Sequence, residues 1–209
     1  MSYADRTRRP PRTLTDAEQL RVLKVSGRHA DTFRDHVIIS LALGAALREH
    51  EICGLDVGDV SPDRWRECKR MIQLRVFKGH RRKGADAKAQ RVHLPDGTFY
   101  KLEKFIRASF ERTGYKPGAD APLFTARGGR RLSLRRVREL WREWQKAAKF
   151  DHLYPFHALR HTSITNAYRA TKDIRIAQRV ARHSNIHTTT RYEHASDQEV
   201  ATAVRGLAS

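Results

Sequence analysis

Phe33, Val37, Ile38, Leu41 and Ala42 recur at the three- and four-residue spacing that lays an apolar stripe along a helix, and they predict a helix over 31–47. Ahead of it, Thr15-Asp16-Ala17-Glu18 has the spacing of a capping box and should open another helix. The end of the 31–47 helix should deliver Arg48 to the surface. Glu51, Ile52 and Leu55 follow at one-turn intervals and predict a short helix holding Arg48 against the core, before a turn region over 56–63. At 71–77 the period changes to two: Ile72, Leu74 and Val76 alternate with Met71, Gln73 and Arg75, as in a half-buried strand.

Residues 91–94 are expected as the return strand, with Lys78-Gly79-His80-Arg81-Arg82-Lys83-Gly84 between the two as a basic hairpin loop. Helical spacing resumes after Pro95-Asp96 through Leu102, Phe105, Ile106 and Phe110. Loops follow at 114–122 and at Gly128-Gly129. Ser133 is a good N-cap for a helix to about 149 that buries Val137, Leu140, Trp141, Trp144 and Ala148 and leaves Arg135, Arg138 and Arg142 largely on its other faces. Two more helices should cover 157–170 and 173–182, and a final amphipathic segment carries Val200, Val204 and Leu207. The fold class is therefore mainly α (α+β), helical with one small antiparallel β-hairpin sheet.

Composition changes this picture in two ways. With 39% hydrophobic residues in 209, the chain can bury one substantial core. Its longest nearly apolar run, Val37 to Leu47, is far shorter than the ~20 residues of a membrane span, and the polar, arginine-bearing stretch Met1 to Arg12 does not read as a secretory signal. Cys53 and Cys68 have neither CxxC spacing nor a disulfide framework, which fits a reducing cytoplasm. Charge is the second change. Lys+Arg 42 against Asp+Glu 23 gives +19, with a pI of about 10.7, so a polyanion is the natural partner. The charge is clustered: 75–91 and 127–142 each hold seven Lys/Arg against one acidic residue. A solvated basic face or an RNA contact would share that composition.

The candidate chemistry lies near the C-terminal end. Neither a GxxxxGK[ST] loop nor a compact Asp/Glu cluster for paired Mg²⁺ ions is present, so phosphate charge must be neutralised by side chains. Arginine suits that role, because its planar fork donates two parallel hydrogen bonds and stays charged. His157 and Arg160 are three apart, on one face of a helix or across its first turn, a spacing that lets both reach one phosphate. His161, four residues beyond His157, hints at a metal pair, but an HExxH glutamate is missing and no third ligand can be named, so no metal is assigned.

Four motifs then occur in order. Ala46-Leu47-Arg48-x-x-Glu51-Ile52-x-x-Leu55 is similar to the first arginine box of the tyrosine recombinase, or phage integrase, family, and Phe77-Lys78-Gly79-x-x-Arg82 to its basic hairpin. His157-x-x-Arg160-His161-Thr162 resembles the second box, and His183-Ser184-x-Ile186-x-Thr188-Thr189-x-x-Tyr192-x-His194 the third. The resemblance implies that Arg48, Arg160 and His183 bind the nonbridging oxygens, that Tyr192 attacks phosphorus, and that His157 and Lys78 act as base and acid. Glu51 and His161 would orient those groups. Arg75, His80, Arg81, Arg82, Lys83, Arg131, Arg135, Arg138 and Arg182 would contact DNA.

The activity so implied is site-specific strand breakage and rejoining through a 3′-phosphotyrosyl intermediate, without cofactor, ATP or metal. A topoisomerase-like relaxation and a noncatalytic DNA-binding regulator on the same fold are the alternatives. The implied partners are double-stranded DNA with a specific inverted-repeat site, further copies of the chain on that DNA, and accessory bending or directionality proteins, in the cytoplasm at the nucleoid. Glycines usual in the family stand as Ala46 and Arg182 here. By domain, 1–13 is a basic arm, 14–194 the catalytic domain and 195–209 a helical tail. Arg48 comes too early for a separate core-binding domain, which makes this a minimal member, similar in size to the fimbrial-switch invertases, or a fragment.

Overall fold

A computed structural model of the chain describes residues 11–30, 32–61, 67–74, 90–114 and 117–192. The arm to residue 10, the hairpin loop and the tail lie outside the described residues, and with them Arg75, Lys78, His80, Arg81, Arg82 and Lys83. Two compact units are formed, one of Arg12–Ser163 and a second that includes the chain from Ile164 onward.

In the first unit, α1 (Asp16–Ser26) opens as predicted: Thr15 Oγ1 accepts from the Glu18 amide, and the Thr15 amide donates to Glu18 Oε2 at 2.8 Å. The centre of the core is α2 (Phe33–Ala45), whose residues from Asp35 to Leu43 are all buried. It stops two residues short of the expected end because Ala46 turns left-handed, at φ 52°. Helix α5 (Asp96–Thr113) packs on α2 where Gly44 leaves room: a Cβ there would meet the Thr98 hydroxyl at 2.3 Å. That close approach requires glycine.

Among the described residues the sheet is a single antiparallel pair, β1 (Met71–Leu74) with β2 (Gln90–His93), in the register Ile72 opposite Val92. Ile72, Leu74 and Val92 are buried while Gln73 and Arg91 are exposed, so the predicted alternation holds as far as Leu74. The expected turn region over 56–63 contains a further short helix, α4 (Val57–Val60), with Asp56 at its N-cap. Helix α6 (Leu134–Ala147) starts at Ser133, whose hydroxyl accepts from the Arg136 amide at 3.1 Å. Trp141 is 1% exposed and Trp144 half-buried; their indole N–H groups donate to Tyr154 O and Asp35 Oδ2. Gln145 grips the same Tyr154 through both its amide N–H and its carbonyl. The segment leading into α7 (His157–Thr171) is thereby fixed.

The second unit contains α8 (Ile174–Ala181), with the Asp173 carboxylate accepting from the amides of Arg175 and Ile176, and two 3₁₀ turns, Ile186–Thr188 and Thr190–Tyr192. No described helix is long and apolar enough to cross a membrane.

Candidate active site

Arg48 is the N-cap of α3 (Glu49–Gly54) and not a surface residue at the end of α2: its side chain is only 15% exposed. The buried Glu51 explains the difference. Its carboxylate accepts from the Arg48 amide at 2.8 Å and from Arg48 Nη1 at 2.7 Å, so one acid caps the helix and fixes the guanidinium. Burying Glu51 without that cation would carry a large desolvation cost.

Arg160, 1% exposed in the second turn of α7, donates through Nη1 to the carbonyl of Ala46. The left-handed turn at Ala46 therefore does two things. It ends α2, with the amides of Ala46 and Leu47 both bending back to Leu41 O, and it holds Arg160 to the chain two residues before Arg48. His157 opens α7, and its ring meets His161 edge-on with centroids 4.4 Å apart. Partial burial, then the guanidiniums of Arg160 and Arg48, pushes the His157 imidazole below its ordinary 6.5. At neutral pH it is thus an uncharged base beside two cations. His50 on α3 is lowered too, by burial first, with Glu51 opposing and Arg48 adding to the effect.

The third motif is organised within the second unit. Arg182 ends α8 in the left-handed region at φ 51°; its amide bonds back to Arg179 O, and the His183 amide reaches Gln178 O at 3.2 Å. These two reversed bonds form a Schellman turn, a setting in which glycine usually holds the left-handed place. Gln178 closes the grip, its side-chain amide donating to His183 O at 3.1 Å. Farther on, His183 Nδ1 lies 3.0 Å from the Thr189 hydroxyl, and the Tyr192 amide donates to Thr189 O at 3.0 Å. Tyr192 is 6% exposed.

The structure thus brings Arg48, Glu51, His157, Arg160 and His161 together in one unit, and His183 and Tyr192 in the other. Thr189, Gln178 and the Ala46 carbonyl were not anticipated as parts of this arrangement. Thr189 had a signal, its place inside the third motif, whereas a main-chain carbonyl has none. Among the expected DNA contacts, Arg131 donates to the carbonyls of Cys53 and Leu55 and pairs with Asp56. Arg138 grips Glu49 with two nitrogens, and Arg135 pairs with Glu139 at 2.8 Å while staying 89% exposed. A cavity of about 480 Å³ opens beside His157, lined among others by Glu49, Arg138, Arg142 and Gln145. No group of three metal-ligating side chains occurs among the described residues.

Comparison with known proteins decides the family: the Phage integrase family profile matches residues 12–199. The chain belongs to the phage integrase family. Tyrosine recombinase XerC of Vibrio vulnificus strain YJ016 is 30% identical over 200 residues, 95% of this chain and 58% of that protein. This phage integrase family member therefore spans little more than half the length of that relative. A crystal structure of XerA recombinase superimposes with a TM-score of 0.72 at 23% identity, over 93% of this chain and 64% of that one. XerH site-specific recombinase, in a pre-cleavage complex with its difH substrate, gives 0.72 at 20% identity, over 95% and 55%. At those identities the likeness is one of fold, the mainly helical integrase catalytic fold with its small antiparallel sheet.

Proposed function

We propose that residues 14–194 are the catalytic domain of a site-specific DNA recombinase that breaks and rejoins strands by transesterification. The observation that carries this reading is the hydrogen bond from buried Arg160 to the Ala46 carbonyl, which fixes the second arginine motif to the turn presenting Arg48. Two anchored guanidiniums suit the nonbridging oxygens of one phosphodiester, because the extra negative charge of a pentacoordinate transition state falls on those atoms. His183 supplies a third donor. Tyr192 forms the new O–P bond and surrenders its phenolic proton to neutral His157, while the P–O5′ bond breaks and Lys78 protonates the departing 5′ oxygen. The phosphotyrosine preserves the phosphodiester, so a 5′-hydroxyl from another strand reverses the step.

Double-stranded DNA with a specific inverted-repeat site is the proposed substrate, and further copies of the chain assemble on it, with accessory bending or directionality proteins, in the cytoplasm at the nucleoid. The charge of +19 supports a polyanionic partner. Arg131, Arg135, Arg138 and Arg182, with Arg75, His80, Arg81, Arg82 and Lys83 of the hairpin, are the proposed DNA contacts. The test uses the full chain and a library of nicked, randomised duplexes. SDS-stable protein–DNA adducts should form and, when sequenced, converge on one site, and Tyr192→Phe should bind that site without forming them. Adducts undiminished in Tyr192→Phe would remove the tyrosine from its role.

A further inference from the structure

Thr189 is completely buried, and its hydroxyl has one hydrogen-bond partner among the described residues, Nδ1 of His183 at 3.0 Å. A buried hydroxyl needs an acceptor for its proton, since leaving it unmet costs the group its full desolvation penalty. If Thr189 donates, Nδ1 must present its lone pair, and a neutral imidazole then carries its proton on Nε2. The same residue is tied at its main chain on both sides. Its amide donates to Ile186 O at 2.6 Å, and its carbonyl accepts from the Tyr192 amide at 3.0 Å. One rigid, β-branched residue thus bonds the His183 side chain and the Tyr192 backbone.

We infer that Thr189 is the positioning residue of the third motif: its hydroxyl locks neutral His183 in the Nε2–H tautomer, and its carbonyl holds Tyr192 in register with that ring. The inference rests on the reading of His183 as a phosphate donor and Tyr192 as the nucleophile. Its chemical content is that His183 donates to a nonbridging oxygen without being protonated beforehand. The other neutral tautomer, with its proton on Nδ1, offers the phosphate a lone pair in place of a proton.

The experiment is nitrogen-15 NMR of the histidine-labelled full chain above the ordinary titration range of imidazole, with His183→Gln used to assign the signal. Nδ1 of His183 should resonate as the unprotonated nitrogen and Nε2 as the protonated one, and Thr189→Ser should keep that pattern. Thr189→Val, which retains the branched shape, should lose it and slow adduct formation roughly tenfold or more, in line with the loss of one aligned donor, while Thr189→Ser restores the rate. A wild-type signal with the proton on Nδ1 overturns the inference even if adducts form. Should wild type form no adduct, the recombinase reading falls, and the NMR pattern still decides whether Thr189 selects the tautomer.

Discussion

Arg160 donates through its buried guanidinium to the main-chain carbonyl of Ala46, so a residue of α7 is fastened to the turn between α2 and Arg48. The backbone acceptor orients the guanidinium fork without itself adding a negative charge. Arg160→Lys tests the distinction. The ammonium keeps the charge but lacks the fork that reaches Ala46 and a phosphate together, so adduct formation should fall about 10²–10³-fold while the chain stays folded. Rates within a few fold of wild type would show that charge alone suffices.

Arg138, one of the proposed DNA contacts, grips Glu49 with two nitrogens at the rim of the cavity beside His157. Its side chain is 61% exposed and that of Glu49 24%, so a DNA phosphate competes with an intramolecular carboxylate for the same guanidinium. Glu49→Gln weakens the competitor and removes a negative charge from the path of the duplex. Binding to nonspecific duplex should tighten, and the dependence of log affinity on log salt should steepen by about one phosphate contact. An unchanged salt slope in a fluorescence titration would place Arg138 away from DNA.

Most elements were legible in the sequence because their signals are local: the Thr15 capping box, the Ser133 N-cap, the stripe from Phe33 to Ala42 and the alternation at Ile72 and Leu74 all occur within one element. The end of α2 was not. Ala46, Lys149 and Arg182 each sit at the close of a helix in the left-handed region, where glycine is the usual marker, and none of them is glycine. A side chain there costs about 1–2 kcal/mol, which tertiary bonds such as Arg160 to Ala46 O offset and which leaves no trace in the pattern. The same holds for the site. The motifs displayed Arg48, Arg160, His183 and Tyr192 as residue types, but the burial of Arg48 depends on Glu51 being buried with it.

His36 carries a separate, testable pH dependence. It is buried on α2 with Nδ1 2.8 Å from Ser26 Oγ, and burial, then Lys101 and Lys104, pushes its pKa down to about 4 from 6.5. The unfolded chain takes up this proton near 6.5 and the folded chain only near 4, so the contribution to stability is complete above 6.5 and is lost as the pH falls through that window. At ~1.4 kcal/mol per unit, the full effect is about 3 kcal/mol. Urea unfolding at pH 7 and pH 4.5 should show a loss of stability that shrinks markedly in His36→Gln. Equal losses in the two proteins would assign the acid sensitivity elsewhere.

His157 should set the acid limb of the cleavage reaction. As a base toward Tyr192 it must be neutral, and partial burial with Arg160 and Arg48 lowers its pKa, so the rate of adduct formation should stay level through pH 7 and decline only below 6.5. Glu49 and Glu51 act in the opposite direction on the same ring. Glu49→Gln removes one of those opposing charges, lowers the pKa further and should move the limb to still lower pH, while His157→Ala should slow the reaction and abolish the limb. A limb that lies above 6.5, or that persists in His157→Ala, would assign the titration to another group, and His50 on α3, also lowered by burial, is the next to substitute.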